Sequence, residues 1–167
     1  MNKKSKTYQK IKPLASIILE GKILCIDPST GSESSMPGYA CYDKGELTEY
    51  GIIEVDSRLN KSLRLYEISR TVREDFDKAD ILIVEYIPPM TYKGPGKKGM
   101  SNIALAGLQK GIGAIMAAQP YANMIEIPES AWRHHKPDEY VKRDDWDARV
   151  IGLCAINIAR HIIKELK

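Results

Sequence analysis

Four acidic residues of this chain stand where a carboxylate is costly unless a cation meets it. Asp27 and Glu85 each close a run of apolar residues, and Asp144 and Asp147 stand three apart ahead of a long apolar stretch. The first run reads Lys22-Ile23-Leu24-Cys25-Ile26-Asp27 and the second Asp80-Ile81-Leu82-Ile83-Val84-Glu85, both with the composition of a buried strand. Burying an unpaired carboxylate is strongly unfavourable, so two strand ends of this kind point to a shared divalent metal ion. On a helix, the spacing of Asp144 and Asp147 puts them on one face, from which both side chains can point back at a sheet. Asp147 aside, each acid also has a plainer role. Asp27 before Pro28 is a turn residue, Glu85 is a surface charge at a strand end, and Asp144 or Asp145 caps a helix whose dipole favours negative charge there. It is the joint placement of all four that favours the metal site.

The elements needed to position them follow from the pattern between the acids. A basic stretch through about Pro13 and a short segment of unassigned type lead into a strand over residues 22–27. After a polar loop over 28–37, residues 38–42 and 47–55 read as strands joined by the turn Asp43-Lys44-Gly45-Glu46. Leu63, Tyr66, Ile68, Val72 and Phe76 recur at roughly helical spacing within 59–78, which predicts an amphipathic crossover helix into the strand that ends at Glu85. The run from Ile87 to Gly99 holds too many prolines and glycines for a helix or central strand and is expected as a loop beside the site. Ser101 is a good N-cap for a helix to Ala118 that is dense in glycine and alanine, and residues 123–127 form a fifth strand stopped by Pro128. A final helix begins near Asp144. The predicted fold is α/β, with a mixed five-stranded sheet, three antiparallel strands then two parallel, flanked by helices.

With 167 residues, 43% of them hydrophobic, the chain can bury one ordinary core. The expected organisation is a basic N-terminal extension over 1–21, a DNA-clamping arm or a disordered tail, followed by one domain over 22–167. A formal charge of +3 fits a nucleic-acid partner and many other proteins, but the lysines cluster: Lys3, Lys4, Lys6, Lys10 and Lys12 at the start, and Lys93, Lys97 and Lys98 in the glycine-rich loop. The three cysteines are scattered through apolar segments, so neither a disulfide framework nor a zinc site is expected, and a reducing, cytoplasmic setting follows. No stretch is long enough to span a bilayer, and a soluble protein is expected.

At this point the motifs carry a resemblance. Ile23-Leu24-Cys25-Ile26-Asp27-Pro28-Ser29 with Gly38-Tyr39-Ala40 resembles the opening of the RuvC-type Holliday junction resolvases, and Ile83-Val84-Glu85-Tyr86 resembles their second acidic strand. The run from Ile103 to Gly111 is similar to their small-residue helix, and Asp144-Asp145-Trp146-Asp147-Ala148 to their closing motif. The similarity spans about residues 22–160 and implies a ribonuclease-H-like fold. Two departures stand out: the loop between Asp27 and Gly38 is longer, and the stretch from Pro128 to Arg143 is shorter and lacks an intervening helix. The compact size and shortened pattern are those expected of a bacteriophage or other mobile-element version.

The resemblance implies an endonuclease that resolves four-way DNA junctions by paired symmetric nicks, with Asp27, Glu85, Asp144 and Asp147 as metal ligands. The chemistry agrees, because phosphodiester hydrolysis is served by two Mg²⁺ about 4 Å apart, and Mg²⁺ prefers oxygen ligands; Mn²⁺ is a possible substitute. The family's basic catalytic residues map to Arg133 and Lys142, chosen from Arg133, His134, His135, Lys136, Lys142 and Arg143. His134 and His135 are read either as solvated side chains or as groups that move a proton beside the metal. Met90 or Tyr92 would wedge between base steps of branched DNA while Lys93, Lys97 and Lys98 hold phosphates, or the loop is a surface loop without contacts. Symmetric nicks imply a homodimer, and the small-residue helix from Ser101 to Ala118 is either its interface or a surface that packs closely on its own sheet. The rival readings are a broader branched-DNA debranching or RNA-processing nuclease on the same fold, and a non-catalytic junction-binding module.

Overall fold

The computed structural model describes residues 5–29, 31–32, 35–76, 79–86, 102–119 and 122–166. Strands β1 (Lys22–Asp27), β2 (Gly38–Asp43), β3 (Glu46–Ile52), β4 (Ile81–Tyr86) and β5 (Asn123–Pro128) form one sheet in the order β3-β2-β1-β4-β5. β2 runs antiparallel to β1 and β3, and β4 runs parallel to β1 and β5, which is the mixed sheet expected. The hairpin turn between β2 and β3 places both Lys44 (φ 52°) and Gly45 (φ 76°) in the left-handed region. A two-residue turn of that kind matches the twist of the strands it joins.

Because side chains alternate along a strand, β1 and β4 bury two sets of residues. Leu24, Ile26, Leu82 and Val84 face α3 (Lys61–Glu74) and α4 (Asn102–Ala118), and the core on that side includes Ile68, Val72, Ile112 and Ile115. Ile23, Cys25, Ile81 and Ile83 face α6 (Asp144–Glu165), which buries Ala148, Ile151, Cys154, Ala155 and Ile162 against them. Burial on both faces explains why these two strands read as continuous apolar runs rather than as alternating ones.

Two expectations change. On α3 the buried positions are Ile68 and Val72, with Leu65 packed against them, whereas Leu63 and Tyr66 are exposed. The stripe is therefore Leu65-Ile68-Val72, whose i, i+3, i+7 spacing is a closer helical match than one through Leu63 and Tyr66. The described part of the segment set apart as an extension is helical and built into the core. α1 (Lys6–Ile11) is capped by the Ser5 hydroxyl, which accepts from the Tyr8 N–H, and a 3₁₀ turn over Lys12–Leu14 leads to α2 (Ala15–Glu20). Tyr8, Ile11, Ala15 and Ile18 are buried in the same cluster as α6, while Lys6, Lys10 and Lys12 point outward. No helix among the described residues is long and apolar enough to cross a membrane.

Candidate active site at the strand ends

The register of β1 and β4 pairs Ile26 with Val84, so Asp27 and Glu85 come next as neighbours on adjacent strands. Both share the parity of Ile23, Cys25, Ile81 and Ile83, which puts them on the α6 face of the sheet. There they hydrogen-bond to each other. Burial raises the Asp27 carboxyl well above its ordinary range, and the charges of Glu85, Asp144 and Asp147 push in the same direction. Burial also raises Glu85, against the donors it accepts from, namely Asp27 and the Trp132 Nε1–H at 3.2 Å. Both carboxyls are thus raised, with burial as the first cause.

The first turn of α6 brings the other two acids. Asp144 is raised by burial and accepts from the Ser35 hydroxyl at 3.4 Å. Burial raises Asp147 too, although the Tyr140 hydroxyl donates to its Oδ1 at 2.5 Å and the Lys136 ammonium lies 3.8 Å from the same oxygen. The approach of helix to sheet depends on Gly38, which pairs with Asp27 across β1 and β2. A Cβ on Gly38 would sit 2.0 Å from the Asp144 carbonyl oxygen. Asp145 belongs to a different arrangement. It is 2% exposed, gripped by the Arg143 guanidinium, and that partner lowers its pKa. It anchors the helix start.

A set of four carboxylates, all shifted toward the protonated form, is a concentration of negative charge with too little counter-charge. An all-oxygen donor set of this kind fits a hard divalent cation such as Mg²⁺ or Mn²⁺. As they are placed, the acids take separate partners, and among the described residues no three acidic, histidine or cysteine side chains close on a common point.

The structure distributes the remaining sequence candidates. Lys142 is exposed, and its charge lowers the pKa of Asp147. Arg133 is committed to Glu129, 2.5 Å away on the one-turn helix α5 (Glu129–Trp132), and the pair is exposed. This helix and the 3₁₀ turn Arg133–His135 occupy the stretch expected to lack a helix. His134 is exposed, and His135 sits with Nδ1 3.3 Å from the Asn157 amide, its pKa lowered by burial and then by His134. Met90, Tyr92, Lys93, Lys97 and Lys98 lie outside the described residues. Sequence reasoning passed over Trp132 and Tyr140 and did not single out Lys136. The available signal was two large aromatic residues in an otherwise polar stretch, which need a reason to be there.

Trp132 supplies a test of the electrostatics. Its N–H favours the ionised form of Glu85, so Trp132→Phe raises the Glu85 pKa further. If Glu85 must be ionised for the site to work, the acid limb of the pH–rate profile moves to higher pH while the rate on the alkaline side falls little. An unchanged limb would remove Glu85 from that role.

No protein-family model matches the sequence, and no curated protein does either. Solved structures are similar to it, two of them of RuvC. One is Thermus thermophilus RuvC in complex with Holliday junction substrate, with a TM-score of 0.60 and 12% identity over 88% of this chain and 96% of that one. The other is Thermus thermophilus RuvC, with a TM-score of 0.53 and 14% identity over 87% and 96% of the two chains. The chain has the ribonuclease-H-like fold of these RuvC structures, as its motifs led one to expect. At such identity the likeness is one of fold.

Proposed function

We propose that this chain, built on the RuvC fold, is a metal-dependent endonuclease that resolves four-way DNA junctions by paired symmetric nicks. The observation that carries the proposal is the pair Asp27 and Glu85, half-buried side by side at two parallel strand ends beneath the acidic first turn of α6. That arrangement has little structural value, since it concentrates like charge inside the protein. The solved relative bound to a Holliday junction substrate supports branched DNA as the ligand class.

Asp27, Glu85, Asp144 and Asp147 are the residues that would hold two Mg²⁺, with Mn²⁺ as a substitute. When bound, the metal supplies Lewis acidity at the attacking and leaving oxygens of the phosphodiester. The chain's own residues do the rest. Asp27 and Glu85 release their shared proton as the site is loaded. Tyr140 holds the orientation of Asp147, and Trp132 holds that of Glu85. Lys136, on the wall of the site, supplies positive charge beside an incoming phosphate. A two-fold homodimer places one such site against each of two symmetric strands.

Incubation of an end-labelled four-way junction with Mg²⁺, in parallel with a three-way branch, a linear duplex and a folded RNA, tests the proposal. Symmetric paired nicks in the four-way junction are the expected result. Equal cutting of the three-way branch would indicate a broader debranching enzyme, and preference for the RNA a processing nuclease. Binding without nicks in either Mg²⁺ or Mn²⁺ would sink the enzymatic reading and leave a junction-binding module.

A further inference from the structure

A continuous ladder of rings and cations leads from the carboxylates to the outer edge of the sheet. The Lys136 ammonium lies 5.0 Å from the Trp132 ring centroid and 3.7 Å from that of Tyr140. Tyr140 meets Trp146 edge-on, with centroids 6.3 Å apart. The Arg149 guanidinium then stands 4.1 Å from the Trp146 ring and 4.5 Å from the Tyr50 ring. The inner end is fastened to the site through the bonds of Trp132 to Glu85 and Tyr140 to Asp147. The outer end is Tyr50 on β3, opposite Ala40 and so on the α6 face, and 44% exposed.

Packing alone accounts for the stacks but not for the charges. Arg58, Arg70, Arg133 and Arg143 each have a carboxylate partner. Among the described residues Arg149 and Arg160 have none, and both line a cleft of about 300 Å³ with Leu47, Pro137 and Trp146. Glu46 shares that rim without forming an ion pair to either arginine. The Trp146 and Tyr50 rings, 4.1 and 4.5 Å from the Arg149 guanidinium, hold it in place without using its N–H donors, which suits a phosphate. A strand brought to four carboxylates meets repulsion on the way in, and free cations along the approach offset it.

Resting on the endonuclease reading above, we propose that Tyr50, Trp146, Arg149 and Arg160 form the docking track for the DNA strand that leads to the scissile phosphate. Arg149 and Arg160 take phosphates of that strand, and the exposed ring of Tyr50 takes the face of a base. The track runs along the side of α6 that carries residues 146, 149, 153 and 160, while Asp144 and Asp147 on the adjoining side meet the strand ends.

Binding of the full chain to a fluorescent four-way junction in Ca²⁺, measured across a salt series, tests this with Arg149→Ala, Arg149→Lys, Arg160→Ala and Tyr50→Ala. Arg149→Ala is expected to weaken binding by roughly tenfold and to lower the slope of log K against log salt by about one. Arg149→Lys retains the slope. Tyr50→Ala weakens binding by about tenfold with the slope unchanged, as loss of one stacked base does, and Tyr50→Phe restores it. If wild type binds and nicks while these variants keep its affinity and slope, the track is overturned and the endonuclease reading stands. If wild type neither binds nor nicks branched DNA, both fall. Should Arg149→Ala melt out, Tyr50→Ala and Arg160→Ala decide, and wild-type binding by both overturns the track.

Discussion

Asp27→Asn is expected to abolish junction cleavage, by on the order of a thousandfold or more, while junction binding and the fold persist. The asparagine amide keeps the shape of the side chain and can still donate to Glu85, so the strand end need not rearrange. What it cannot do is become an anion. The same substitution is expected to raise stability in the absence of metal. Burial first, and then Glu85 and the acids of α6, raise the folded-state pKa of Asp27, so the folded protein holds a proton that the unfolded chain releases near pH 4. The folded state therefore binds more protons, and wild-type stability falls as pH rises from about 4 through the raised folded value. The variant has no such proton to lose. Above that value it should melt a few degrees higher than wild type in EDTA, the gain of about 0.5–2 kcal/mol seen when a functional site is relieved of its strain. Added Mg²⁺ should then raise the melting temperature of wild type, by about 2.7 kcal/mol of stability at a hundredfold excess over Kd, and leave the variant unmoved. Retained nicking, or a lower melting temperature at every pH, would remove Asp27 from the site.

Gly38→Ala is expected to destabilise the protein by about 3 kcal/mol and to eliminate cleavage, although residue 38 touches no substrate. The added methyl would lie 2.0 Å from the Asp144 carbonyl oxygen and 2.5 Å from the Asp145 amide nitrogen. Both are backbone atoms, so no rotamer change relieves the contact, and the first turn of α6 must lift from β2. Asp144 and Asp147 lift with it, and the Ser35 and Tyr140 bonds that orient them stretch. Urea denaturation and the nicking assay report the two effects separately. A variant with wild-type midpoint and rate would show that the helix start is free to shift. Glycine here is required by close approach, since Gly38 does not have a positive φ.

Much of this was legible in the sequence, for reasons that differ by element. Strands β1 and β4 are buried on both faces, so their apolar runs are unbroken and the closing Asp27 and Glu85 stand out against them. The β2–β3 turn announces itself because Lys44-Gly45 supplies a residue that tolerates a left-handed backbone. The N-terminal helices were hidden by their solvent face. Lysines 6, 10 and 12 read as a basic arm, although Tyr8, Ile11, Ala15 and Ile18 repeat at i, i+3, i+7 and i+10 and are the residues that pack. On α3 the presence of apolar residues was clear but their phase was not, since Leu63 and Tyr66 fall one position off the buried stripe. In the site, the acids were legible because each sits at an element boundary. Trp132, Lys136 and Tyr140 were not, because their roles come from contacts with Glu85 and Asp147 that only the tertiary fold creates.

The packing of α6 also bears on the order in which the protein assembles. Helix α6 covers Ile23, Cys25, Ile81 and Ile83 and receives α1 and α2 on its flank, where the Tyr8 hydroxyl donates to Glu165, 157 residues away, at 3.1 Å. It follows every other described element in the chain, so during synthesis much of one face of the sheet stays uncovered until α6 has been made. The same helix delivers Asp144 and Asp147. A nascent or truncated chain therefore has an apolar face for chaperones to hold and only half of its acidic cluster, and core closure and chemical competence arrive in a single step.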